Sequence, residues 1–282
     1  MTTLDKITPE EFKLMSGYIE KNCGIHLTEV KAYLVESRLT AMALEKGCSS
    51  FTEFYRMITT GAVNDLRDKI IDAMTTNETL WFRDAAPFDI LENNILTKMT
   101  EEIKAGKRRS IAIWCAACST GQEPYSIAIR VQEFARKQSV FKPSMVKIIA
   151  TDISPSVLFL AKAGRYDSFA MSRGMPDDLK NRYFKSAGNV WEISPDIKRM
   201  VNFQKLNLQE SFTQMGQPDI IFCRNVLFYF SENFKKDIYE RLAKQLNRGG
   251  ILFIGASETM LNDLQLFLPH RETRGVWYEV NK

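Results

Sequence analysis

The sequence predicts an α/β fold that carries a small antiparallel β insert and follows an all-helical region. Three observations predict it. Up to about residue 75 the apolar residues recur at helical spacing, with caps and breakers between the runs. From Ile111 onward, apolar runs of strand length alternate with amphipathic helical stretches, the pattern of an open parallel sheet. Between residues 164 and 204 that pattern gives way to short alternating segments. The expected division is a helical domain at 1–84 and an α/β domain at 85–282, with the insert at about 166–204.

Composition is that of an ordinary globular chain: 282 residues, 45% hydrophobic and 26% charged. No stretch reaches the ~18 uninterrupted apolar residues of a membrane span. The opening MTTLDKITPEEF has neither a basic segment nor an apolar core, so no secretion signal is read and the cytoplasm is expected. A net charge of +4, without interleaved basic and aromatic residues, does not point to nucleic acid. The five cysteines are scattered and odd in number, which argues against a disulfide framework. Cys115 and Cys118 form C-x-x-C. With no second pair and only His26 and His270 as histidines, they read as a strand residue and a turn residue rather than a redox pair or half a zinc site, and no metal is expected.

Thr8-Pro9-Glu10-Glu11 is a capping box with proline at the first helical position, and Phe12, Met15 and Ile19 share the face behind it. Gly24 ends this helix. A second helix runs from about Thr28 to Lys46, with Val35, Leu39 and Met42 on its apolar face and Gly47 at its end. Lys31, Arg38 and Lys46 lie along it, either as a solvated face or as a docking face for an acidic partner. Ser50 to Glu53 repeats the capping-box spacing and opens a short helix that stops near Gly61; Leu66, Ile70 and Ala73 line a fourth.

Thr75–Asp84, TTNETLWFRD, closes the helical region with polar residues and two bulky aromatics beside Arg83. Trp81 and Phe82 read as core anchors. Arg83, held beside them, can present a fixed guanidinium to a carboxylate. Pro87 starts a long helix through Leu91, Ile95 and Met99 that ends near Gly106, and Lys107-Arg108-Arg109 reads as a solvated connection.

Ile111–Ala117 is a buried strand, Cys118–Gly121 a tight turn, and Gln122-Glu123-Pro124 the start of an amphipathic helix. This is how an open α/β sheet forms its first ligand crevice. Only Gly121 is present where a dinucleotide fingerprint needs three glycines, so the crevice suits a nucleoside without phosphates and not a nicotinamide dinucleotide. Val146–Ala150 is the second strand. Asp152 just beyond it either takes two ribose hydroxyls or caps the helix that Pro155 begins. Asn189–Ile193 and Val201–Gln204 have strand character and are assigned to the insert. Pro218–Cys223 is a further buried strand that places Arg224, Asn225 and Tyr229 beyond its carboxyl end, where ligands bind in such sheets. A helix over about 232–246, a strand at Ile251–Gly255 and an edge-type strand at Gly275–Val280 complete the chain.

GIHLTEVKAYLVESRL (24–39), TTNETLWFRD (75–84), WCAACSTGQEPYSIA (114–128), ATDIS (150–154), NLQESF (207–212), IIFCRNVLFYF (220–230) and ILFIGASE (251–258) together resemble the CheR family. Its members are chemotaxis receptor glutamate methyltransferases that use S-adenosylmethionine (SAM). The resemblance spans nearly the whole chain and implies a helical domain joined to a Rossmann-like SAM-dependent methyltransferase domain with a small β insert. It implies cofactor contacts at Asn77, Thr79, Arg83, Glu123, Asp152, Asn207, Leu208, Arg224 and Asn225. Within that set Asp152 would hold the ribose, Asn207 and Leu208 would flank the adenine, and Glu123 would lie near the methionine portion. Arg83 and Tyr229 would be catalytic, close to the transferred methyl and the substrate carboxylate. The implied partner is the cytoplasmic helical domain of methyl-accepting chemoreceptors, met through Lys31, Arg38 and Lys46; a monomer is the default expectation for the oligomeric state, which the sequence does not encode. Where relatives often carry further arginines on that helix, this chain has Ala32, Met42 and Leu44. The alternative reading is a receptor-docking module that has lost methyl transfer.

Overall fold

The computed structural model describes residues 4, 6–60, 66–260, 265–272 and 275–282. The helical domain comprises α1 (Pro9–Cys23), α2 (Ala32–Glu45), α3 (Phe51–Thr59) and α4 (Leu66–Met74). Thr8 and Glu11 close the predicted capping box on α1, and Gly24 ends it in the left-handed conformation at φ 76°. Glu11 does more than cap: its second oxygen accepts from the Thr52 backbone N–H (3.0 Å) and hydroxyl (3.2 Å), joining α1 to α3. The second helix opens as a 3₁₀ turn, Glu29–Lys31. At α3 the box is only half formed, because Ser50 caps Glu53 N–H while the Glu53 carboxylate turns to the Ser49 N–H and hydroxyl. The expected stop near Gly61 lies outside the described residues. Met15, Ile19, Val35, Leu39, Phe51, Phe54 and Ile70 fill the core of this domain.

The helix expected from Pro87 is α5 (Ala86–Ile90) and α6 (Leu96–Lys104), with a π-helical segment, Leu91–Ile95, between them. Arg108 after it is not merely solvated. It pairs with Asp219 at 2.6 Å and Glu102 at 2.8 Å, pinning the entry to the first strand.

The remaining elements are β1 (Ile111–Ala116), α7 (Gln122–Lys137), β2 (Val146–Asp152), α8 (Pro155–Ala163), β3 (Arg165–Asp167), α9 (Ser168–Ser172), α10 (Asp177–Tyr183), β4 (Phe184–Ala187), β5 (Val190–Ile193), α11 (Pro195–Lys198), β6 (Val201–Lys205), β7 (Ile220–Cys223), α12 (Glu232–Gln245), β8 (Ile251–Phe253), β9 (Phe267–Glu272) and β10 (Gly275–Val280). Among the described residues, seven strands form one sheet in the order β6-β2-β1-β7-β8-β10-β9, and β3-β5-β4 form a second. The first five strands of the large sheet are parallel, and β10 runs antiparallel to both its neighbours. This is the Rossmann-like arrangement, with the order reversing at β1.

Two strand assignments made from the sequence are corrected. Val201–Lys205 is not part of the insert but the outer parallel strand of the main sheet, in register with β2 from Ile148↔Val201 to Asp152↔Lys205. Gly275–Val280 is not an edge, because β9 lies outside it. Pro269 and the charged residues after it hide β9 in the sequence, and an edge is where a strand tolerates proline.

The insert packs on the segment that closes the helical domain. Trp81 is fully buried, edge-on to Tyr166 (4.8 Å) and Phe184 (5.3 Å). Its backbone N–H donates to Arg173 O at 3.1 Å. At Gly174, where φ is +92°, a Cβ would stand 2.2 Å from the Trp81 carbonyl, so only glycine admits this contact.

Candidate active site

The turn after β1 is built on backbone angles that few residues adopt: φ is 61° at Ala117, 49° at Ser119 and 93° at Gly121. Asp152 holds it. Its Oδ2 accepts from Ser119 N–H at 2.8 Å and its Oδ1 from Ser154 N–H at 3.0 Å. Asp152 does not cap the next helix; Ser154 does, through Val157 N–H. Burial pushes the Asp152 carboxyl above its ordinary value, and the backbone donors offset part of that cost. The Ser119 hydroxyl donates to Asn77 O at 2.8 Å, which draws the 75–79 segment to the end of β1.

Arg224, at the end of β7, is the central strut. Nη1 donates to Glu123 Oε2 at 2.6 Å, and Nη2 to Arg83 O at 2.6 Å and Asp84 Oδ2 at 2.8 Å. Its side chain is 1% exposed and that of Glu123 12%. Burial raises the Glu123 pKa by more than the Arg224 charge lowers it. The guanidinium also lies over the Phe88 ring, 5.6 Å from its centroid. It thereby holds a loop that is otherwise unfavourable, with φ of 49° at Phe82, 68° at Asp84 and 41° at Ala85. Arg83 is thus presented at the cleft with one hydrogen bond, to Glu78 O at 3.2 Å, and no ion pair among the described residues.

The helical domain supplies the facing wall. Asn207 Nδ2 donates to Asn22 O at 2.8 Å, and its Oδ1 accepts from Gln209 N–H at 3.0 Å. Ile25 forms an antiparallel bridge with Phe230, and His26 N–H donates to Tyr229 O at 2.8 Å. Asn77, Thr79, Arg83, Glu123, Asp152, Asn207, Leu208, Arg224, Asn225 and Tyr229 all line the resulting cleft, which encloses about 900 Å³ counting the solvent at its mouth.

The docking residues lie elsewhere. Arg38 faces the fold, not a partner: its Nη1 donates to Met74 O at 2.7 Å and its Nη2 to Thr76 Oγ1 at 3.1 Å. Lys31 and Lys46, both half-buried, flank α2. Sequence reasoning missed Ser119 and Asp84, which sit inside quoted motifs but act through partners distant in the chain. Cys115 and Cys118 are buried free thiols, one in β1 and one in the turn. Burial pushes both well above the usual thiol range.

The cleft fits a nucleoside carrying an amino acid. Arg224 Nε is buried without a partner, a donor left over for an acceptor group. Carboxylates stand at two of its sides, and no glycine-rich phosphate cradle is present.

Comparison with known proteins decides the family. The model described as "CheR methyltransferase, SAM binding domain" matches residues 77–276, and "CheR methyltransferase, all-alpha domain" matches residues 10–75. The chain belongs to the CheR methyltransferase family. It is 44% identical over 253 residues to chemotaxis protein methyltransferase 1 of Pseudomonas aeruginosa, covering 89% of this chain and 91% of that one. With chemotaxis protein methyltransferase 1 of Vibrio cholerae it shares 42% identity over 275 residues, 97% and 98% of the two chains. With the chemotaxis protein methyltransferase of Borreliella burgdorferi it shares 38% over 263 residues, 92% of each. In this CheR-family methyltransferase the ten cleft residues from Asn77 to Tyr229 named above fall within the SAM-binding match, and SAM is the cofactor.

Proposed function

We propose that this SAM-dependent methyltransferase esterifies glutamate side chains on the cytoplasmic helical domain of chemoreceptors, for sensory adaptation, as a cytoplasmic monomer. The observation that carries the reading is Arg83, a partly exposed guanidinium without an ion-pair partner among the described residues, which lines the cleft within the stretch matched by the SAM-binding domain.

SAM supplies a methyl group activated on a sulfonium. The acceptor needs little activation. A glutamate side chain has a pKa of ~4.3 and is already the nucleophile at neutrality. No histidine lines the cleft, and none is required as a general base. The work of the protein is alignment and exclusion of water, and alignment of this kind supplies up to ~7–11 kcal/mol in favourable cases. Asp152 holds the ribose, Asn207 and Leu208 flank the adenine, and Glu123 with Arg224 meets the methionine portion. Asn77, Thr79 and Asn225 close the pocket. Arg83 and Tyr229 orient the incoming carboxylate. Lys31 and Lys46 serve as the docking face, with Arg38 bracing the helix from within.

The test uses purified protein, SAM labelled in the methyl group and a receptor cytoplasmic fragment. Base-labile label on the fragment that disappears when its acceptor glutamates are changed to glutamine establishes the reaction. Label that resists base overturns it. If S-adenosylhomocysteine also fails to bind the folded protein, the docking-module reading replaces it.

A further inference from the structure

Glu258 follows β8 and does not line the cleft, yet its carboxylate is the most heavily hydrogen-bonded group near it. Oε1 accepts from Val226 N–H at 2.9 Å and Leu227 N–H at 2.7 Å. Oε2 accepts from Asn225 N–H at 2.9 Å and Gly255 N–H at 2.7 Å. Three consecutive amides therefore converge on one side chain, a concave anion site of the kind backbone N–H groups form when one residue turns left-handed. Asn225 is that residue, at φ 59°. Gly255 lets the chains approach: a Cβ there would stand 2.6 Å from Asn225 Nδ2 and 2.8 Å from Glu258 Oε2. Starting at the last clamped amide, Leu227–Tyr229 forms a 3₁₀ turn in which Tyr229 N–H donates to Val226 O at 3.1 Å. At the start of the segment that carries Asn225 and Tyr229 to the cleft, the backbone donors of residues 225–227 are thus satisfied by Glu258, and the 3₁₀ turn takes over at Tyr229.

We infer that Glu258 is a positioning residue for methyl transfer. Its carboxylate fixes the 225–229 backbone so that Asn225 and Tyr229 meet cofactor and acceptor without reorganisation. The inference rests on the proposed roles of those two residues. The carboxylate is needed as such, because four donors require two accepting oxygens. In Glu258→Gln one oxygen becomes an NH₂ group that faces N–H groups, so two bonds are lost and donors oppose donors.

The test compares wild type, Glu258→Gln and Glu11→Gln, each measured well below its own melting temperature so that turnover is read per folded molecule. Glu11 is the control, a carboxylate that also accepts backbone amides but does not line the cleft. Displacement of reacting groups by about 1 Å costs on the order of 100-fold in rate. Glu258→Gln is expected to lose roughly 10- to 100-fold in turnover, to weaken S-adenosylhomocysteine binding, and to speed amide exchange at residues 225–227 selectively, while Glu11→Gln keeps wild-type turnover. Wild-type turnover and unchanged exchange at 225–227 in folded Glu258→Gln would overturn the inference. Should Glu258→Gln fail to fold, Gly255→Ala displaces the same carboxylate from Asn225 and is judged by the same criteria. If wild type itself transfers no methyl to glutamate, the proposed reaction has failed, and binding and amide exchange still decide the role of Glu258.

Discussion

Arg224 and Glu123 meet at 2.6 Å inside the protein, and the same guanidinium holds the Arg83 carbonyl and the Asp84 carboxylate. One buried cation therefore organises residues from α7, the helix after β1, and from the loop that presents Arg83. Arg224→Met leaves Glu123 buried and unpaired, which costs about 3–5 kcal/mol. Glu123→Gln keeps an acceptor for Arg224 and is expected to cost less. Urea denaturation of the two variants checks the order, and equal losses would refute it.

Arg83→Ala should lose most turnover while S-adenosylhomocysteine binding and melting temperature stay near wild type. The side chain makes one hydrogen bond among the described residues, so little stability depends on it. Steady-state methylation beside calorimetric titration separates the two, and near-normal turnover removes Arg83 from the reaction.

Asp152→Ala should weaken S-adenosylhomocysteine binding by at least about 10-fold, the effect of one lost charge-assisted hydrogen bond of about 1.5–3 kcal/mol. The Ser119 and Ser154 amides lose their acceptor as well. Circular dichroism must show a folded sample for the calorimetry to count.

Arg38→Ala should lower stability by about 1–2 kcal/mol, because it frees carbonyls at the end of α4. Lys31→Ala should leave stability unchanged and weaken receptor binding. Thermal melts and a receptor pull-down distinguish them. A selective binding defect in Arg38→Ala with an unchanged melt would return that residue to the docking face.

Glu11 provides a pH signature. Burial alone would raise its pKa, but hydrogen bonds from Thr8 and Thr52 outweigh it and hold the carboxyl below the ordinary value. The folded state then binds this proton less tightly than the unfolded chain. Its contribution is complete above the unfolded value, ~4.3, and is lost as pH falls through the lower folded value. Glu11→Gln should be less stable than wild type at neutrality, and the gap should narrow in melts below about pH 4.

Much of this was legible before any coordinates. Strand, tight turn and helix at Ile111–Ile129 put a crevice at the end of β1; Asp152 ends β2, and Arg224 and Asn225 follow β7, at strand ends that meet there. The roles within the crevice came from family resemblance, not from spacing. What stayed hidden depends on pairing across the chain. β6 has the composition of an insert strand, and only its register with β2 assigns it to the main sheet. Arg38 reads as a surface cation until the α4 carbonyls, more than thirty residues away, are seen to occupy it. Glu258 is separated from Asn225 by 33 positions, and no periodicity links them.

The bridge between Ile25 and Phe230, with the His26 amide on the Tyr229 carbonyl, means that the helical domain is not an interchangeable adaptor. A chimera that took residues 1–75 from a relative would also replace one wall of the cleft. On the proposed docking reading, receptor choice is re-engineered most safely on α2, leaving the 20–27 segment with the catalytic half it was matched to.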